Sequence, residues 1–294
     1  MTMSSEPDFS RRFLHGSVEP HAAMLNAPEP SQLLYKIMRP EDLIRSMAFG
    51  YLHFNRVDCY RDFKDADLHD GEQLPGDVRG NTATKFEKAE HFSAADYYVR
   101  SRSRTYACCF SLDNSEHIWR EYADGSANGK IGLEFEFGKL RARLNETLHP
   151  DKCMLQADGK PCIQIFSVNY GMVDYVDWET YRANTEHLPN PIRYTYLKDA
   201  CYAPERELRV SLSALGMGEF AFADGSTMAF SDSLQAQFDF RSAFADGTIK
   251  QILIAPGSNL DFLRVEFGKL GIAAIEGPCV RDGDPAPCAL RRTT

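Results

Sequence analysis

Two closely spaced glutamates are the strongest candidates for catalytic residues in this sequence. Glu205 and Glu207 stand in the segment Ala-Pro-Glu-Arg-Glu-Leu-Arg-Val, where Arg209 follows two residues later. If the segment is a strand, alternate side chains share a face, so the two acids and the base converge. Paired carboxylates can stabilise a developing cation or move a proton. An exposed ion pair between Glu207 and Arg209 would explain the same pattern without any chemistry.

Two other patterns are weaker signals of function. Glu134 and Glu136 alternate with apolar residues, which is typical of the solvated face of a strand. The stretch 216–221 fits the dinucleotide-binding pattern G-x-G-x-x-A, but no helical pattern follows that could hold a pyrophosphate. The sequence contains no phosphate-binding loop of the G-x-x-x-x-G-K-S/T type, no G-x-S-x-G serine motif and no H-E-x-x-H zinc motif.

An acidic segment between residues 58 and 72 suggests a different chemistry. Its composition, rich in aspartate and poor in aliphatic residues, predicts a surface loop. Its carboxylates could gather a divalent metal ion for a nuclease or a nucleotide hydrolase. A hydrated, charge-rich turn explains the same composition. The candidate ligands are Asp62, Asp65, Asp67, Asp70 and Glu72.

The composition favours an ordinary soluble globular protein. Hydrophobic residues make up 43% and charged residues 26% of the chain, and no apolar run approaches the length of a membrane span. The formal charge of −9 disfavours nonspecific binding to nucleic acid. Eight cysteines without a CxxC pair favour reduced thiols, hence a cytoplasmic location, and we expect no metal site.

The order of patterns predicts one α+β domain over residues 31–294, preceded by a flexible N-terminal arm over residues 1–30 that lacks a secretory signal. Because strands outnumber helices without regular alternation, we expect a mixed, largely antiparallel sheet with flanking helices. If residues 97–106 were also extended, Arg100, Arg102 and Arg104 would share one face. The predicted strands cover residues 33–38, 51–57, 106–111, 130–137, 163–170, 205–212, 249–255 and 272–275. The predicted helices cover residues 40–50, 116–123, 174–187 and 259–269.

Several short motifs follow one another in a recognisable order: Leu-Tyr-Lys at 34–36, Leu-His-Phe at 52–54, Cys-Phe-Ser at 109–111, Trp-x-x-Tyr-Ala at 119–123, a glycine-initiated strand at 129–135 and Glu-x-Glu-x-Arg at 205–209. This order resembles the bacterial domain-of-unknown-function family 2971. Leu208 stands where the family usually has Trp, and residues 60–65 lack its usual Asn-Asp-Pro. Members of this family look similar to ADP-ribosyltransferases, which have a split sheet, and many occur in settings of phage defence or toxin action.

The resemblance implies an enzyme that uses NAD as a substrate. Cleavage of the bond between nicotinamide and ribose builds positive charge on the ribose, and a nearby carboxylate stabilises that charge. By this resemblance Glu207 hydrogen-bonds the ribose and stabilises the cation, while Glu205 activates the acceptor. Lys36 and Arg39 contact phosphate or ribose, Ser111 supports the site, and Trp119 and Tyr122 stack on the ligand. The full set of implied NAD contacts is Tyr35, Lys36, Arg39, Ser111, Trp119, Tyr122 and Arg209.

Several functional alternatives stay open at this stage. The acceptor of ADP-ribose could be a protein, a nucleic acid, a small molecule or water, and an antitoxin or defence partner is implied by the same resemblance. A second hypothesis is a non-catalytic module that senses a nucleotide or a phage component. A third is the metal-dependent nuclease or nucleotide hydrolase suggested by the acidic segment.

Overall fold

The computed structural model describes residues 18–62, 67–86, 89–149, 155–157, 160–162, 166–182, 191–214, 219–221, 225–272 and 288–290. The strands are β1 (Leu33–Met38), β2 (Tyr51–Arg56), β3 (Lys85–Phe86), β4 (Ala89–Ser93), β5 (Thr105–Ser111), β6 (Ile131–Glu136), β7 (Leu155–Ala157), β8 (Lys160–Cys162), β9 (Phe166–Met172), β10 (Asp174–Val176), β11 (Leu197–Asp199), β12 (Glu207–Ala214), β13 (Glu219–Ala221), β14 (Thr227–Ala229), β15 (Ser233–Gln237), β16 (Ile249–Ile254) and β17 (Cys288–Leu290). The α-helices are α1 (Pro40–Phe49), α2 (Pro75–Ala83), α3 (Ala94–Arg102), α4 (Glu116–Glu121), α5 (Phe137–Thr147), α6 (Phe240–Ala245) and α7 (Leu260–Lys269). Short 3₁₀ helices cover Ala22–Met24, Val57–Asp62, Pro191–Tyr196 and Ala200–Glu205.

One sheet of 11 strands organises the molecule. Its order is β17-β16-β6-β1-β5-β2-β15-β7-β8, with β12 beside β5 and β9 beside β12. Neighbouring strands in this sheet pair antiparallel, whereas β10 and β11 form a separate parallel pair. The predicted α+β class, with a largely antiparallel sheet and flanking helices, is confirmed.

The sheet divides at β5. On one edge β12 pairs along the whole strand, from Glu207 opposite Ser111 to Ser213 opposite Thr105. On the other edge, β1 pairs only with the end of β5, where Tyr35 lies opposite Ser111. Strand β2 pairs with β5 nearer the start of β5. The strands β1 and β2 therefore diverge, and the middle of β5 faces the gap between them.

The main hydrophobic core lies between one face of the sheet and four helices. Leu43 of α1, Leu140 and Leu144 of α5, and Leu263 of α7 are fully buried in it. Burial of each such side chain stabilises the fold by about 1.5 to 3 kcal/mol. A smaller cluster belongs to the layer that covers the opposite face, which includes α2, α3 and 3₁₀ segments; its members are Leu74, Ala94, Tyr98, Trp178, Tyr194 and Leu197.

Capping residues set the ends of the helices. Pro40 begins α1, Glu41 and Asp42 follow in its first turn, and Gly50 ends the helix with a left-handed φ of 69°. These features match the predicted helix because each satisfies or complements a helix end. At the start of α3, the Ser93 side chain accepts from the Asp96 N–H, and the Asp96 carboxylate accepts from the Ser93 N–H. This reciprocal capping box fixes where α3 begins.

One predicted element is wrong, and the condition under which the three arginines would share a face is not met. Residues 97–106 are not extended, because the capping box starts α3 and carries the chain through Arg102 as a helix. Residues 174–182 are not helical: β10 pairs with β11, and turns follow it. The rest of that predicted helix, the strand over residues 273–275 and most of the glycine pattern at 216–221 lie outside the described residues.

The described part of the predicted N-terminal arm lies against the sheet. The Val168 N–H in β9 donates to the carbonyl of Val18 at 3.3 Å, and the Met172 N–H donates to the carbonyl of Asn26 at 2.7 Å. Arg141 of α5 binds the Glu19 carboxylate through two nitrogens, at 2.7 Å and 2.5 Å. Residues 18–26 are thus attached to β9 and α5, whereas residues 1–17 lie outside the described residues.

Candidate active site

A row of polar side chains crosses one face of the sheet. Tyr35 in β1 lies opposite Ser111 in β5, which lies opposite Glu207 in β12. On the other side of β1, Tyr35 lies opposite Glu134 in β6, and Glu134 lies opposite Gln251 in β16. Directly opposed residues in an antiparallel sheet project from the same face. The register therefore brings these five side chains together from strands that are far apart in the chain.

Hydrogen bonds connect one end of this polar row. Gln251 Nε2 donates to Glu134 Oε2 at 3.0 Å, and the Tyr35 hydroxyl lies near the same carboxylate. Burial, and then the charge of Glu134, raise the pKa of Tyr35 to about 12. The Tyr35 hydroxyl consequently keeps its proton at neutral pH and acts as a donor. Glu134, which the sequence assigns to a solvated strand face, is instead half-buried between these two partners.

Ser111 joins the polar row to the segment that carries Glu205. Its Oγ donates to the main-chain carbonyl of Glu205 at 2.8 Å. The 3₁₀ helix Ala200–Glu205 then ends at Arg206, whose φ of 44° is left-handed and turns the chain into β12. Glu205 consequently lies at the end of the 3₁₀ helix, before the strand. The predicted strand start at Glu205 is wrong, because β12 begins at Glu207. The hydrogen bond from Ser111 keeps Glu205 beside the row.

Glu205 and Glu207 share one buried ammonium group. Lys198 Nζ lies 2.6 Å from Glu205 Oε2 and 3.5 Å from Glu207 Oε2. The Glu205 side chain is 13% exposed and the Glu207 side chain 4%, so Glu205 is the more accessible carboxyl of the pair. Lys198 lies in β11, within the layer that covers this face of the sheet, and its contact brings both carboxyl groups into one cluster.

The environments of the two carboxyl groups shift their pKa values in opposite directions. Burial, followed by the nearby charge of Glu207, raises the pKa of Glu205. Burial also disfavours the ionised form of Glu207, but the charges of Arg209 and Lys198 outweigh it and lower the pKa of Glu207 to about 2. Glu207 is therefore ionised at neutral pH, while Glu205 takes up a proton more readily. Such a divergence separates a charge-stabilising carboxylate from an acid or base.

Arg209 holds the centre of the cluster. Its Nε lies 2.8 Å from Glu207 Oε1 and its Nη2 lies 2.9 Å from Glu207 Oε2. The same guanidinium also binds both oxygens of Asp70, and Nη1 donates to the carbonyl of Thr195 at 2.8 Å. The Arg209 side chain is only 1% exposed. The forked geometry of arginine suits two carboxylates at once, so this contact links β12, the acidic segment and the 3₁₀ helix at Pro191–Tyr196.

Tyrosine hydroxyls complete the surroundings of the two glutamates. The Tyr122 hydroxyl lies near Glu205, and burial, then the charges of Glu207 and Glu205, raise the pKa of Tyr122. The Tyr175 hydroxyl accepts the main-chain N–H of Glu207 at 2.7 Å. Tyr60 lies 3.3 Å from Cys109 Sγ, and burial raises the pKa of the Cys109 thiol. The phenols and the thiol are therefore neutral at pH 7, so Cys109 is not an activated nucleophile.

Six of the predicted site residues meet in this cluster and a seventh lies close to it. A Cβ on Gly132, next to Glu134 on the same strand face, would come within 2.9 Å of the Trp119 ring. Trp119 thus covers that face, and its Nε1 donates to Asn114 Oδ1 at 2.7 Å. The six residues in the cluster are Tyr35, Ser111, Tyr122, Glu205, Glu207 and Arg209.

Lys36 and Arg39 do not join the cluster. Lys36 projects from the opposite face to Tyr35, into the gap between β1 and β2, where its Nζ donates to the carbonyl of Cys109 at 3.1 Å. Arg39 follows the far end of β1, is about half exposed, and pairs with Asp42 at 2.7 Å. The basic residues expected to face Glu207 from the first strand therefore lie elsewhere.

The acidic segment is used for ion pairs and turns. Asp70 binds Arg209, and Glu72 binds Arg102 at 2.8 Å and His69 at 2.9 Å. Among the described residues there is no group of three or more His, Cys, Asp or Glu arranged to hold a metal ion. Asp65 and the side chain of Asp62 lie outside the described residues.

Lys198 and Tyr175 could not be identified as site residues from the sequence. Neither belongs to a motif or to a pattern of charges, and both approach Glu207 only through the fold of the covering layer. Asp70 was visible as an acidic-loop residue, but its partner Arg209 is 139 residues away. A buried arginine beside alternating acids could have suggested a second carboxylate partner, without identifying it.

Comparison with known proteins identifies no relative of this chain. No family model, curated protein or solved structure matches this chain. Within the described ranges, every helix is too short or too polar to cross a membrane.

Proposed function

We propose that the protein is an ADP-ribosyltransferase-like enzyme that cleaves the bond between nicotinamide and ribose in NAD. The observation that carries the proposal is the Glu205–Glu207 pair, in which one buried carboxylate is held ionised and its neighbour has a raised pKa. Cleavage of a glycosidic bond through a cation-like transition state needs these two kinds of carboxyl group. The resemblance in motif order to the bacterial family 2971 points to the same chemistry.

The proposed roles follow from exposure and protonation. Glu207, ionised, stabilises positive charge on the ribose, and Glu205 accepts a proton from the attacking acceptor. Tyr122 and Tyr35, both protonated, donate hydrogen bonds to ribose or amide oxygens. Glu205 is more exposed than Glu207, so a ligand reaches Glu205 first and contacts Glu207 after the Lys198 side chain moves aside.

The biological setting and the acceptor are also proposals. The resemblance favours an intracellular toxin or a phage-defence effector, with an antitoxin or defence partner that controls it. A protein, a nucleic acid, a small molecule or water can take the ADP-ribose, and hydrolysis to water would make the protein an NAD glycohydrolase.

Nicotinamide release from labelled NAD tests this proposal. The variants Glu207→Gln and Glu205→Gln should each reduce the release rate by at least about 100-fold, because removal of a group that stabilises transition-state charge has effects of this size. Glu266→Gln, on the distant helix α7, is a matched control that should retain the wild-type rate. Circular dichroism and urea unfolding of each variant separate lost chemistry from lost folding. Turnover that persists undiminished in folded Glu207→Gln would refute the proposal.

A second candidate function is a nucleotide-binding module without turnover. This alternative is favoured by the contacts of Glu207, because both of its carboxylate oxygens already bind Arg209 and neither is free to contact a substrate. In this case NAD or a related nucleotide should raise the melting temperature, because a ligand that binds only the native state stabilises it, and no nicotinamide should be released.

A further inference from the structure

An open cleft of about 310 Å³ lies beside the candidate active site. Its walls come from the acidic segment, from the turn after β10 and from the end of β11 with the following 3₁₀ helix. Lys198, which pairs with Glu205, lies against the ring of Tyr202 at the border of the cleft. The residues that line the cleft include Asp67, His69, Trp178, Glu179, Asp199 and Tyr202.

Aromatic rings form part of the walls. The His69 ring stacks on Trp178, with ring centroids 5.5 Å apart and an interplanar angle of 22°. The Tyr202 ring already contacts one cation, because Lys198 Nζ lies 4.6 Å from its centroid. Ring faces attract ammonium groups, and they also exclude water from the aliphatic part of a ligand.

The charge of the cleft is negative. Asp67, Glu179 and Asp199 contribute carboxylates, and the described residues that line the cleft include no lysine or arginine. A ligand that carries phosphate would be repelled by these charges. A metal ion is also disfavoured, because the described part of the chain offers no convergent set of three ligands.

Asp67 points to the kind of group that would bind. Asp67 is 3% exposed, and its Oδ1 accepts the His69 N–H at 2.8 Å. Its Oδ2 is buried and has no hydrogen-bond partner among the described residues. A buried carboxylate oxygen without a donor is unfavourable, so a ligand N–H that reaches Oδ2 would be favoured. Because solvent does not reach this oxygen, the side chains beside it must move to admit the ligand.

We propose that this cleft binds an aliphatic amine in its ammonium form, with an ammonium N–H donating to Asp67 and the carbon chain lying against Tyr202 and Trp178. The volume suits a small diamine rather than a macromolecular segment. This site is separate from the glutamate pair, and the proposal does not depend on NAD cleavage.

Isothermal titration calorimetry with 1,5-diaminopentane tests the site in the full chain. The wild type should bind the diamine, and Asp67→Asn should weaken binding by about tenfold or more, because it removes the charged acceptor. Glu179→Gln, at an exposed position, should weaken binding about threefold through loss of one solvent-screened charge. Asp261→Asn, a distant and exposed change of the same charge, should bind as the wild type does.

Two comparison ligands sharpen the result. Tetramethylammonium has the charge but no N–H, so it should bind more weakly than the diamine, and adenosine monophosphate should not bind in this cleft. Absence of diamine binding at millimolar concentration would overturn the proposal. So would equal binding by wild type, Asp67→Asn and Glu179→Gln; the exposed Glu179→Gln variant keeps the test valid if Asp67→Asn does not fold.

Discussion

Replacement of Arg209 by methionine should destabilise the protein strongly. Its guanidinium contacts two buried carboxylates, on Glu207 and Asp70, and one main-chain carbonyl. Because Arg209 is only 1% exposed, solvent screens these contacts very little. Removing one partner of a buried ion pair costs about 3 to 5 kcal/mol, since the remaining charge stays buried without compensation. For a chain of 294 residues, that loss corresponds to a decrease in melting temperature of roughly 5 to 8 °C.

The destabilisation caused by Arg209→Met should become smaller as the pH falls. In the wild type the pKa of Glu207 is lowered to about 2 from its ordinary 4.5, so its stabilisation is complete above pH 4.5 and is lost toward pH 2. Without Arg209, burial favours the protonated form of Glu207 more strongly. The folded variant then binds a proton more readily than the unfolded chain, so the difference from wild type should shrink as the pH falls from 7 to 5.

Urea unfolding followed by circular dichroism, at pH 7 and at pH 5, measures both effects. Arg264→Met is the matched control, because Arg264 is about half exposed and, in the described part of the chain, forms its ion pair with the exposed Asp261 of α7. That control should change the unfolding free energy by no more than about 0.5 kcal/mol. A loss below about 1 kcal/mol in Arg209→Met, or a loss that grows on acidification, would refute the assignment of Arg209 as the counter-charge of buried, ionised carboxylates.

Three further outcomes follow from the structure. Ser93→Ala should lower the unfolding free energy by about 1 kcal/mol in urea titrations, because the capping box of α3 loses its serine oxygen. Gly132→Ala should lower the unfolding free energy by about 1 to 3 kcal/mol and change the tryptophan fluorescence. The new methyl group would lie 2.9 Å from the Trp119 ring and 2.9 Å from the Ile37 side chain. Wild-type stability should fall between pH 4.5 and pH 2 by up to about 3 kcal/mol as Glu207 takes up its proton, with the raised pKa of Glu205 acting in the opposite direction.

Local patterns in the sequence predicted the strands that form the site, but they did not predict which strands lie side by side. Alternation predicted β1 and most of β12, a run of mainly apolar residues predicted β5, and capping residues predicted α1. Which strands lie side by side depends on pairing between distant segments, and alternation carries no information about it. The contact between Arg209 and Asp70 is of this kind, since it spans 139 residues.

Some errors came from giving a weak pattern more weight than a stronger one. Ser93 and Asp96 stand at the spacing of a capping box, and this signal identifies the helix that contains Arg100 and Arg102, for which only an extended conformation had been considered. Tyr35 and Lys36 are adjacent, so the alternation of a strand already sends them to opposite faces. Assigning both to one site conflicted with that rule, and the structure puts Lys36 in the gap between β1 and β2.

The most direct test of the central claim is a crystal structure of the protein soaked with NAD or a hydrolysis-resistant analogue. The proposed chemistry predicts density for the dinucleotide on the sheet face that carries Tyr35, Ser111 and Glu207, with the ribose of the nicotinamide half within about 3.5 Å of a carboxyl oxygen of Glu205 or Glu207. A dinucleotide bound on any other surface, or an empty face at saturating ligand, would contradict it.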